Sequence, residues 1–168
     1  LKKMSLHSPD AFWSAAFVRH KGVFTNEEQV KLRNSTVAIA GLGAVGGTVF
    51  LGLVRSGVGS FTITDFDDFE VSNFNRQAGS RADTLGSKKV SVLVEEALRI
   101  NPFLKIKTIS DGLNSRTIDE FLHGANLVID AMDFFAYRER LELLTMCRRK
   151  NMYVVTSGNT GFGASLLV

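Results

Sequence analysis

The sequence predicts an α/β fold of the Rossmann-like type, with a mostly parallel sheet and helices on both faces. Buried apolar runs alternate along the chain with helical stretches, the pattern of parallel strands joined by crossover helices. One run, residues 36–40, leads into the glycine turn Gly41-Leu42-Gly43-Ala44-Val45-Gly46 and then into a helix. Asp65 closes the next strand about 20 residues further on. A glycine turn and an acid at this spacing indicate a nucleotide site.

Two short helices are predicted ahead of the first strand. Ser8-Pro9-Asp10 favours a helix start, so we expect a helix over residues 10–20. Thr25-Asn26-Glu27-Glu28 fits a capping box that opens a second helix through about Arg33. We expect residues 1–35 to form a helical arm next to the main domain.

Strands and helices continue to alternate after the glycine turn. The pattern predicts helices over 45–55, 87–100, 115–122 and 136–149, and strands over 61–65, 104–109, 127–130 and 153–156, with a last strand after Gly163. Residues 66–85 show no sustained period of either kind. Irregular segments this long inside a compact domain are usually functional or disordered, so we look for chemistry there.

Composition limits the class of protein. The chain has 168 residues, 45% of them hydrophobic, which is enough for one domain with a core. Its net charge of +3 is too small, and its basic residues too dispersed, to indicate a nucleic-acid surface. No apolar run reaches the length of a membrane span, and no signal peptide is evident, so we expect a cytoplasmic protein. The single Cys147 lies in an apolar helix and is expected in the core.

Both ends of the chain suggest a fragment. It begins with Leu1 rather than Met, and it stops inside the apolar run Ala164-Ser165-Leu166-Leu167-Val168. We therefore expect these residues to be part of a longer protein.

Six motifs follow one another in an informative order. They are Gly41-Leu42-Gly43-Ala44-Val45-Gly46, Thr64-Asp65-Phe66-Asp67, Val71-Ser72-Asn73-Phe74-Asn75-Arg76-Gln77, Leu85-Gly86-Ser87-Lys88-Lys89-Val90, Ile100-Asn101-Pro102 and Ile129-Asp130-Ala131-Met132-Asp133. In this order they resemble the ThiF/MoeB/HesA superfamily, which includes the adenylation domains of ubiquitin-activating enzymes. The resemblance covers residues 19–168. Its most specific part is the Ser-Asn-x-x-Arg-Gln block, which an ordinary dinucleotide-binding unit has no reason to carry.

The resemblance implies an ATP-dependent adenylyltransferase, with residues 36–168 as its ATP-binding domain. A carboxylate, typically the C-terminus of a ubiquitin-like or sulfur-carrier protein, would attack the α-phosphate of Mg-ATP and release pyrophosphate. A small carboxylate, a peptide or a tRNA-bound carboxylate remains open within this class. Because a carboxylate is already ionised at neutral pH, the site needs alignment and cations rather than a general base. The resemblance also implies a homodimer.

The glycine turn and the acids after the second strand are the predicted nucleotide contacts. Gly41 permits the tight turn, Gly43 lets the backbone approach a phosphate, and Gly46 lets the helix lie close to the sheet. The start of that helix favours an anion. By resemblance, Asp65 would contact the ribose, and Asp67 would have a supporting role.

Five further residues match positions that act in the family. Arg76 would bind two phosphate oxygens, and Lys89 would supply a point charge to the same group. Asn73 would donate to a phosphate oxygen. Asp133 matches the Mg²⁺-associated acid, and Arg19 matches an arginine that reaches the partner subunit's ATP. The resemblance thus implies that Arg76, Lys89, Asp133 and Arg19 are catalytic, with Asp133 as the metal ligand.

Structural roles remain open for several of these residues. Arg76 and Asn73 can form a loop-stabilising pair. Lys89 can be a solvated residue on a helix face, with Lys88 as the competing choice. Asp133 can cap the following helix, a role compatible with metal binding.

Two other functions also remain open. A nicotinamide-dependent oxidoreductase would use the same glycine turn, but it does not need the block over residues 72–77. A non-catalytic scaffold subunit could keep the fold, but the retained cations argue against it. Phe134 and Phe135 depart from the family, which often has Asn after the acid, and this leaves the acyl substrate open.

Overall fold

The computed structural model describes residues 8–160 and 163–168, and a six-stranded sheet organises them. The strands are β1 (Thr36–Ala40), β2 (Ser60–Thr64), β3 (Lys105–Ile109), β4 (Leu127–Asp130), β5 (Val154–Thr160) and β6 (Gly163–Leu167), in the spatial order β3-β2-β1-β4-β5-β6. β1 to β5 are parallel, and β6 runs antiparallel to β5. The predicted mostly parallel sheet is confirmed.

Six α-helices accompany the sheet in the described part of the chain. They are α1 (Pro9–Ala16), α2 (Asn26–Asn34), α3 (Ala44–Arg55), α4 (Lys89–Ile100), α5 (Ile118–Leu122) and α6 (Tyr137–Arg149). Short 3-10 turns cover Val18–His20, Val71–Asn73 and Ala82–Thr84. None of the helices in the described ranges is both long and apolar enough to cross a membrane.

Two apolar cores lie on opposite faces of the sheet. Alternate residues of β1 point to opposite sides, so Ile39 packs with α3 and α4, whereas Ala38 and Ala40 pack with α5 and α6. Phe50 and Phe61 meet edge to face in the first core, with centroids 4.9 Å apart. Cys147 is buried in the second core, as predicted. The helices therefore cover both faces of the sheet and do not cover the carboxyl ends of its strands.

Both helices of the arm begin close to the predicted residues, but the first one ends earlier than predicted. Thr25 and Glu28 form the predicted capping box at the start of α2. The first helix ends at Ala16 rather than at residue 20, because the chain tightens there into a 3-10 turn. This turn brings the rings of Phe17 and His20 to 5.4 Å.

The start of α5 and the end of β5 differ from the predicted boundaries because of hydrogen bonds. α5 begins at Ile118 rather than at residue 115, because Thr117 N–H donates to the Asn114 carbonyl in a separate turn. β5 runs beyond residue 156 to residue 160, because it pairs with β6, where Gly158 lies opposite Ser165. Strand pairing there overrides the turn preference of glycine.

Candidate functional site

A pocket of about 630 Å³ opens at the carboxyl ends of four neighbouring strands. Its walls include Gly41 after β1, residues 64–67 at the end of β2, residues 111–114 after β3 and residues from 132 to 136 after β4. β1 lies between β2 and β4. The chain therefore adds β2 and β3 on one side of β1, and then crosses over to add β4 on the other side. Ligands of open α/β sheets bind at this kind of crossover point.

The pocket wall is acidic. Five carboxylates line it, and they belong to Asp65, Asp67, Asp111, Asp133 and Glu139. Within the described ranges, no three His, Cys, Asp or Glu side chains form a cluster able to hold a metal ion. Mg²⁺ favours oxygen ligands and usually takes one or two carboxylates while water and phosphates complete its shell, so the carboxylate of Asp133 on the wall fits such an ion.

The glycine turn is fixed by close backbone contacts. Gly41 has φ +88°, and a Cβ there would lie 2.6 Å from the Ala131 carbonyl oxygen. A Cβ at Gly46 would lie 1.8 Å from the Gly41 carbonyl oxygen. At Gly43 the nearest atom would be Nε2 of Gln77 at 3.8 Å, so space remains there. Gln77 is itself buried, and its Oε1 has no hydrogen-bond partner among the described residues.

Asp65 joins the glycine turn to the end of β2. Its Oδ2 accepts the Leu42 N–H at 2.7 Å, and its Oδ1 accepts the Asp67 N–H at 2.9 Å. An ionised carboxylate has about four acceptor positions, so capacity remains for a ligand hydroxyl. Asp65 lies on the pocket wall together with Gly41 and Asp133.

Lys89 is buried and paired with an acid of the pocket. Its Nζ lies 2.8 Å from Asp67 Oδ2, and only 6% of its side chain is exposed. The competing residue, Lys88, is 58% exposed and pairs with Asp68. The interpretation of Lys89 as a solvated residue is therefore wrong. Lys89 does not line the pocket, but it reaches the wall through Asp67.

Asn73 and Arg76 hold their own loop in this structure. The buried Asn73 side chain accepts the Glu70 N–H at 2.9 Å. Nη1 of the exposed Arg76 donates to the Ser72 carbonyl at 2.8 Å and to Asn75 Oδ1 at 2.9 Å. Neither side chain lines the pocket. The Arg76 side chain bonds to neighbours other than Asn73, whereas the Arg76 backbone N–H donates to the Asn73 carbonyl at 3.2 Å.

Asp133 lies in the loop between β4 and α6. Its Oδ1 accepts the Phe135 N–H at 3.3 Å, and its carbonyl accepts the Ala136 N–H at 3.1 Å. Ala136, not Asp133, occupies the N-cap position of α6, so the helix-cap alternative is wrong. The Asp133 carboxylate is exposed on the pocket wall.

Arg140 is a site residue that sequence reasoning missed. It donates to the Asp133 carbonyl at 3.2 Å and to the buried carboxylate of Asp130 at 2.7 Å. An acid that ends a buried strand needs a charged partner, so the sequence indicated that Asp130 has one. It did not indicate which residue this is, because the spacing of ten residues between Asp130 and Arg140 matches no short motif.

Arg19 and the pair Phe134 and Phe135 differ in their relation to the pocket. Arg19 is exposed in the 3-10 turn of the arm and does not line the pocket of its own chain. Phe134 and Phe135 are 83% and 89% exposed, with their rings edge to face at 5.7 Å. Phe135 lines the pocket. Large aromatic side chains with this exposure are suited to contact a ligand or partner.

The thiol of Cys147 takes no part in this site. It lies in the core beneath α6, and burial raises its pKa from 9.0 to about 11. The thiol is therefore protonated at neutral pH, and a protonated thiol is a poor nucleophile.

Comparisons with known proteins agree on one family. A model described as the ThiF family matches residues 17–168. The tRNA threonylcarbamoyladenosine dehydratase of Haemophilus influenzae is 33% identical over 140 residues, which are 83% of this chain and 53% of that protein. The sulfur carrier protein ThiS adenylyltransferase of Escherichia coli is 30% identical over 140 residues, 83% of this chain and 55% of that protein. The chain thus spans about half the length of these relatives.

Solved structures show the same fold. The E. coli tRNA N6-threonylcarbamoyladenosine dehydratase, TcdA, in complex with ATP has a TM-score of 0.84 and 28% identity, covering 90% of this chain and 62% of that chain. E. coli MccB with ATP has a TM-score of 0.74 and 26% identity, covering 88% of this chain and 45% of that chain.

Proposed function

Because the chain belongs to the ThiF family, we propose that it is an ATP-dependent adenylyltransferase that activates a carboxylate as an acyl adenylate. The observation that carries the proposal is that Gly41, Asp65 and Asp133 line one pocket, although they follow three different strands. ATP as its ligand is supported by the relative of the same fold that was crystallised with ATP.

The proposed reaction joins two anions. An oxygen of the substrate carboxylate forms a bond to the α-phosphorus, and the bond from that phosphorus to the bridging oxygen breaks, so the electron pair leaves with pyrophosphate. No proton is abstracted, because the carboxylate is already ionised. The protein must hold the reactants in line and neutralise their charge.

Residues of this chain supply that charge in the proposal. Lys89 is the cation already oriented toward the pocket wall, through Asp67. Arg76 would have to leave Ser72 and Asn75 to reach a phosphate, and its exposure leaves the side chain free to change rotamer. Mg²⁺, when bound, would add positive charge at the phosphates, and we assign Asp133 to hold it. Asn73, buried in its turn, would align the loop that carries Arg76.

The substrate carboxylate has two main candidates. A carboxylate carried by tRNA is favoured by the relatives named tRNA threonylcarbamoyladenosine dehydratase, since the threonine of a threonylcarbamoyl group is attached through its nitrogen and keeps a free carboxylate. The C-terminus of a sulfur-carrier or ubiquitin-like protein is favoured by the ThiS adenylyltransferase. The net charge of +3 does not indicate an RNA-binding surface, which counts against the tRNA. The carrier protein is therefore kept as the second candidate. Either substrate would place the reaction in the cytoplasm.

A homodimer belongs to the proposal through Arg19. Its position in the arm, away from its own pocket, suits a contact with the pocket of a second copy. Mixing inactive Arg19→Ala and Asp133→Ala proteins tests this. We expect the mixture to recover about a quarter of wild-type activity, because half of the dimers are mixed and each has one intact pocket. No recovery in a mixture shown to exchange subunits would exclude the shared site.

ATP–pyrophosphate exchange tests the function itself. The full-length protein is assayed with Mg²⁺ and with a panel that contains the modified tRNA, sulfur-carrier proteins and small carboxylates. We expect exchange with one member only, and loss of exchange in Arg76→Ala and Asp133→Ala while the circular dichroism spectrum stays unchanged. Arg138→Ala is the matched control, because this exposed arginine precedes the pocket residue Glu139 without lining the pocket.

Two results would overturn the assignment. One is unaltered exchange in Arg76→Ala and Asp133→Ala. The other is preferential binding of NAD over ATP in a direct titration, which would favour an oxidoreductase. Tight ATP binding without exchange on any substrate would instead support a non-catalytic subunit.

A further inference from the structure

A buried acid stands directly behind the pocket. The side chain of Asp130, at the end of β4, has no exposed surface. Its Oδ2 accepts a hydrogen bond from Thr156 Oγ1 at 2.8 Å, and its Oδ1 accepts the Met132 N–H at 3.2 Å. Burial of a carboxylate this deep is costly unless a cation and several hydrogen-bond donors surround it.

Arg140 of α6 is that cation, and it does more than neutralise Asp130. Its Nε donates to Asp130 Oδ2 at 2.7 Å, while its Nη2 donates to the carbonyls of Met132 at 2.6 Å and Asp133 at 3.2 Å. An ion pair alone would need one nitrogen. The planar guanidinium places Nε at Asp130 and Nη2 at two successive carbonyls, and the single nitrogen of a lysine cannot occupy both positions at once.

From these contacts we infer that Arg140 is the positioning residue for Asp133, with Asp130 as its anchor. Residues 131–136, here called the Asp133 loop, carry the Asp133 carboxylate to the pocket wall. Arg140 holds the backbone of this loop from the side of α6, and Asp133 Oδ1 is restrained from the other side by the Phe135 N–H. The orientation of the Asp133 carboxylate therefore depends on a side chain that does not line the pocket.

The consequence for metal binding rests on the proposed function. A Mg²⁺ ion demands nearly ideal octahedral geometry, so one carboxylate ligand must be held firmly. Residues that orient metal ligands commonly change metal affinity by about 10- to 100-fold when they are replaced. Loss of Arg140 should therefore weaken the effect of Mg²⁺ on the nucleotide without removing the nucleotide pocket.

Hydrogen exchange of the protein without ligand tests the positioning directly. Three amides of the loop, those of Met132, Phe135 and Ala136, donate to Asp130 or Asp133. We expect them to exchange at least about tenfold faster in Arg140→Gln. Amides of β1 should keep wild-type protection, which shows that the sheet is intact. The control is Arg138→Gln on the same helix, and it should leave the loop amides unchanged.

Arg140→Lys separates positioning from charge and serves if Arg140→Gln does not fold. Lysine can still pair with Asp130, so the Met132 amide should remain protected. When the one nitrogen of lysine pairs with Asp130, no nitrogen remains at the position of Nη2 beside the two carbonyls, so the amides of Phe135 and Ala136 should exchange faster. Wild-type protection of these two amides in Arg140→Lys, and in Arg140→Gln where that variant folds, would overturn the inference.

Calorimetric titration with ATP then tests the role at the site. In Arg140→Gln we expect wild-type affinity for ATP without Mg²⁺, and at least a tenfold smaller gain in affinity when Mg²⁺ is added. An undiminished Mg²⁺ effect despite a loosened loop would contradict the inference. If the wild-type protein fails to bind ATP, the proposed function is wrong, but hydrogen exchange still decides whether Arg140 holds the loop.

Discussion

The ammonium group of Lys89 lies 2.8 Å from Asp67 Oδ2, so a buried cation of α4 is held by an acid on the wall of the pocket. The Lys89 backbone N–H also donates to the Asp67 carbonyl, at 3.1 Å. The two residues are thus joined by side chain and backbone. Asp67, assigned only a supporting role from the sequence, is the residue that orients Lys89.

Replacing Lys89 by Met should remove the positive charge and keep a side chain of similar volume. We expect the dissociation constant for ATP to rise by about 10- to 100-fold, because a hydrogen bond to a charged group contributes about 1.5–3 kcal/mol. Lys88→Met is the matched control, since the exposed Lys88 loses a surface pair worth about 0–1 kcal/mol and one hydrogen bond to the Phe66 carbonyl. Calorimetric titration of both variants measures the difference. Equal effects of the two substitutions would remove Lys89 from the site.

The two glycines Gly46 and Gly52 of α3 should respond in opposite ways to Ala. A Cβ at Gly46 would collide with the Gly41 carbonyl, so Gly46→Ala should cost about 3 kcal/mol or more of unfolding free energy. Gly52 has open space around its Cβ position, and Ala there should stabilise the protein by about 0.5–1 kcal/mol. Urea denaturation of both variants checks this. A neutral Gly46→Ala would mean that the turn at Gly41 can shift away from α3.

The exposed pair Phe134 and Phe135 should matter for the substrate and little for folding. Replacing both by Ala should change the free energy of unfolding by no more than about 1 kcal/mol, since both rings are solvated. We expect the KM for the carboxylate substrate to rise and the KM for ATP to stay constant. Val30→Ala, an exposed apolar residue of α2, is the control for nonspecific effects. An unchanged carboxylate KM would exclude these rings from substrate recognition.

The buried thiol of Cys147 should make stability fall at alkaline pH. Burial raises its folded pKa from 9.0 to about 11. Below pH 9 the thiol is protonated in both states; between 9 and 11 it ionises only in the unfolded chain, which favours unfolding. The free energy of unfolding of the wild type should therefore fall more steeply over this range than that of Cys147→Ala. Parallel slopes, measured by urea denaturation at each pH, would contradict the burial of the thiol.

Local signals in the sequence predicted most of the fold. The capping box at Thr25 and the glycine turn at Gly41 are governed by neighbouring residues, so their structures follow from a few positions. The extent of β5 depends instead on its partner β6, so the strand predicted from local preference ended at residue 156 rather than at residue 160. Pairing between distant segments cannot be recovered from local preference.

The candidate site was predicted in the same uneven way. Residues directly after strands, such as Asp65 and Asp133, could be located because parallel strands bring their carboxyl ends together. Arg140 could not, since its contact with Asp130 depends on how α6 packs on the sheet. Arg76 was assigned by resemblance, and here it bonds to its own loop. Its role at the phosphates stays a prediction.

The two outer strands of the sheet differ in how they would receive another strand. β3 carries the exposed residues Lys105 and Lys107, and charged side chains of this kind discourage edge-to-edge pairing. β6 has no charged residue, and its Leu166 and Leu167 are 68% and 64% exposed. The β3 edge is therefore protected against the addition of another strand, and the apolar β6 edge lacks this protection.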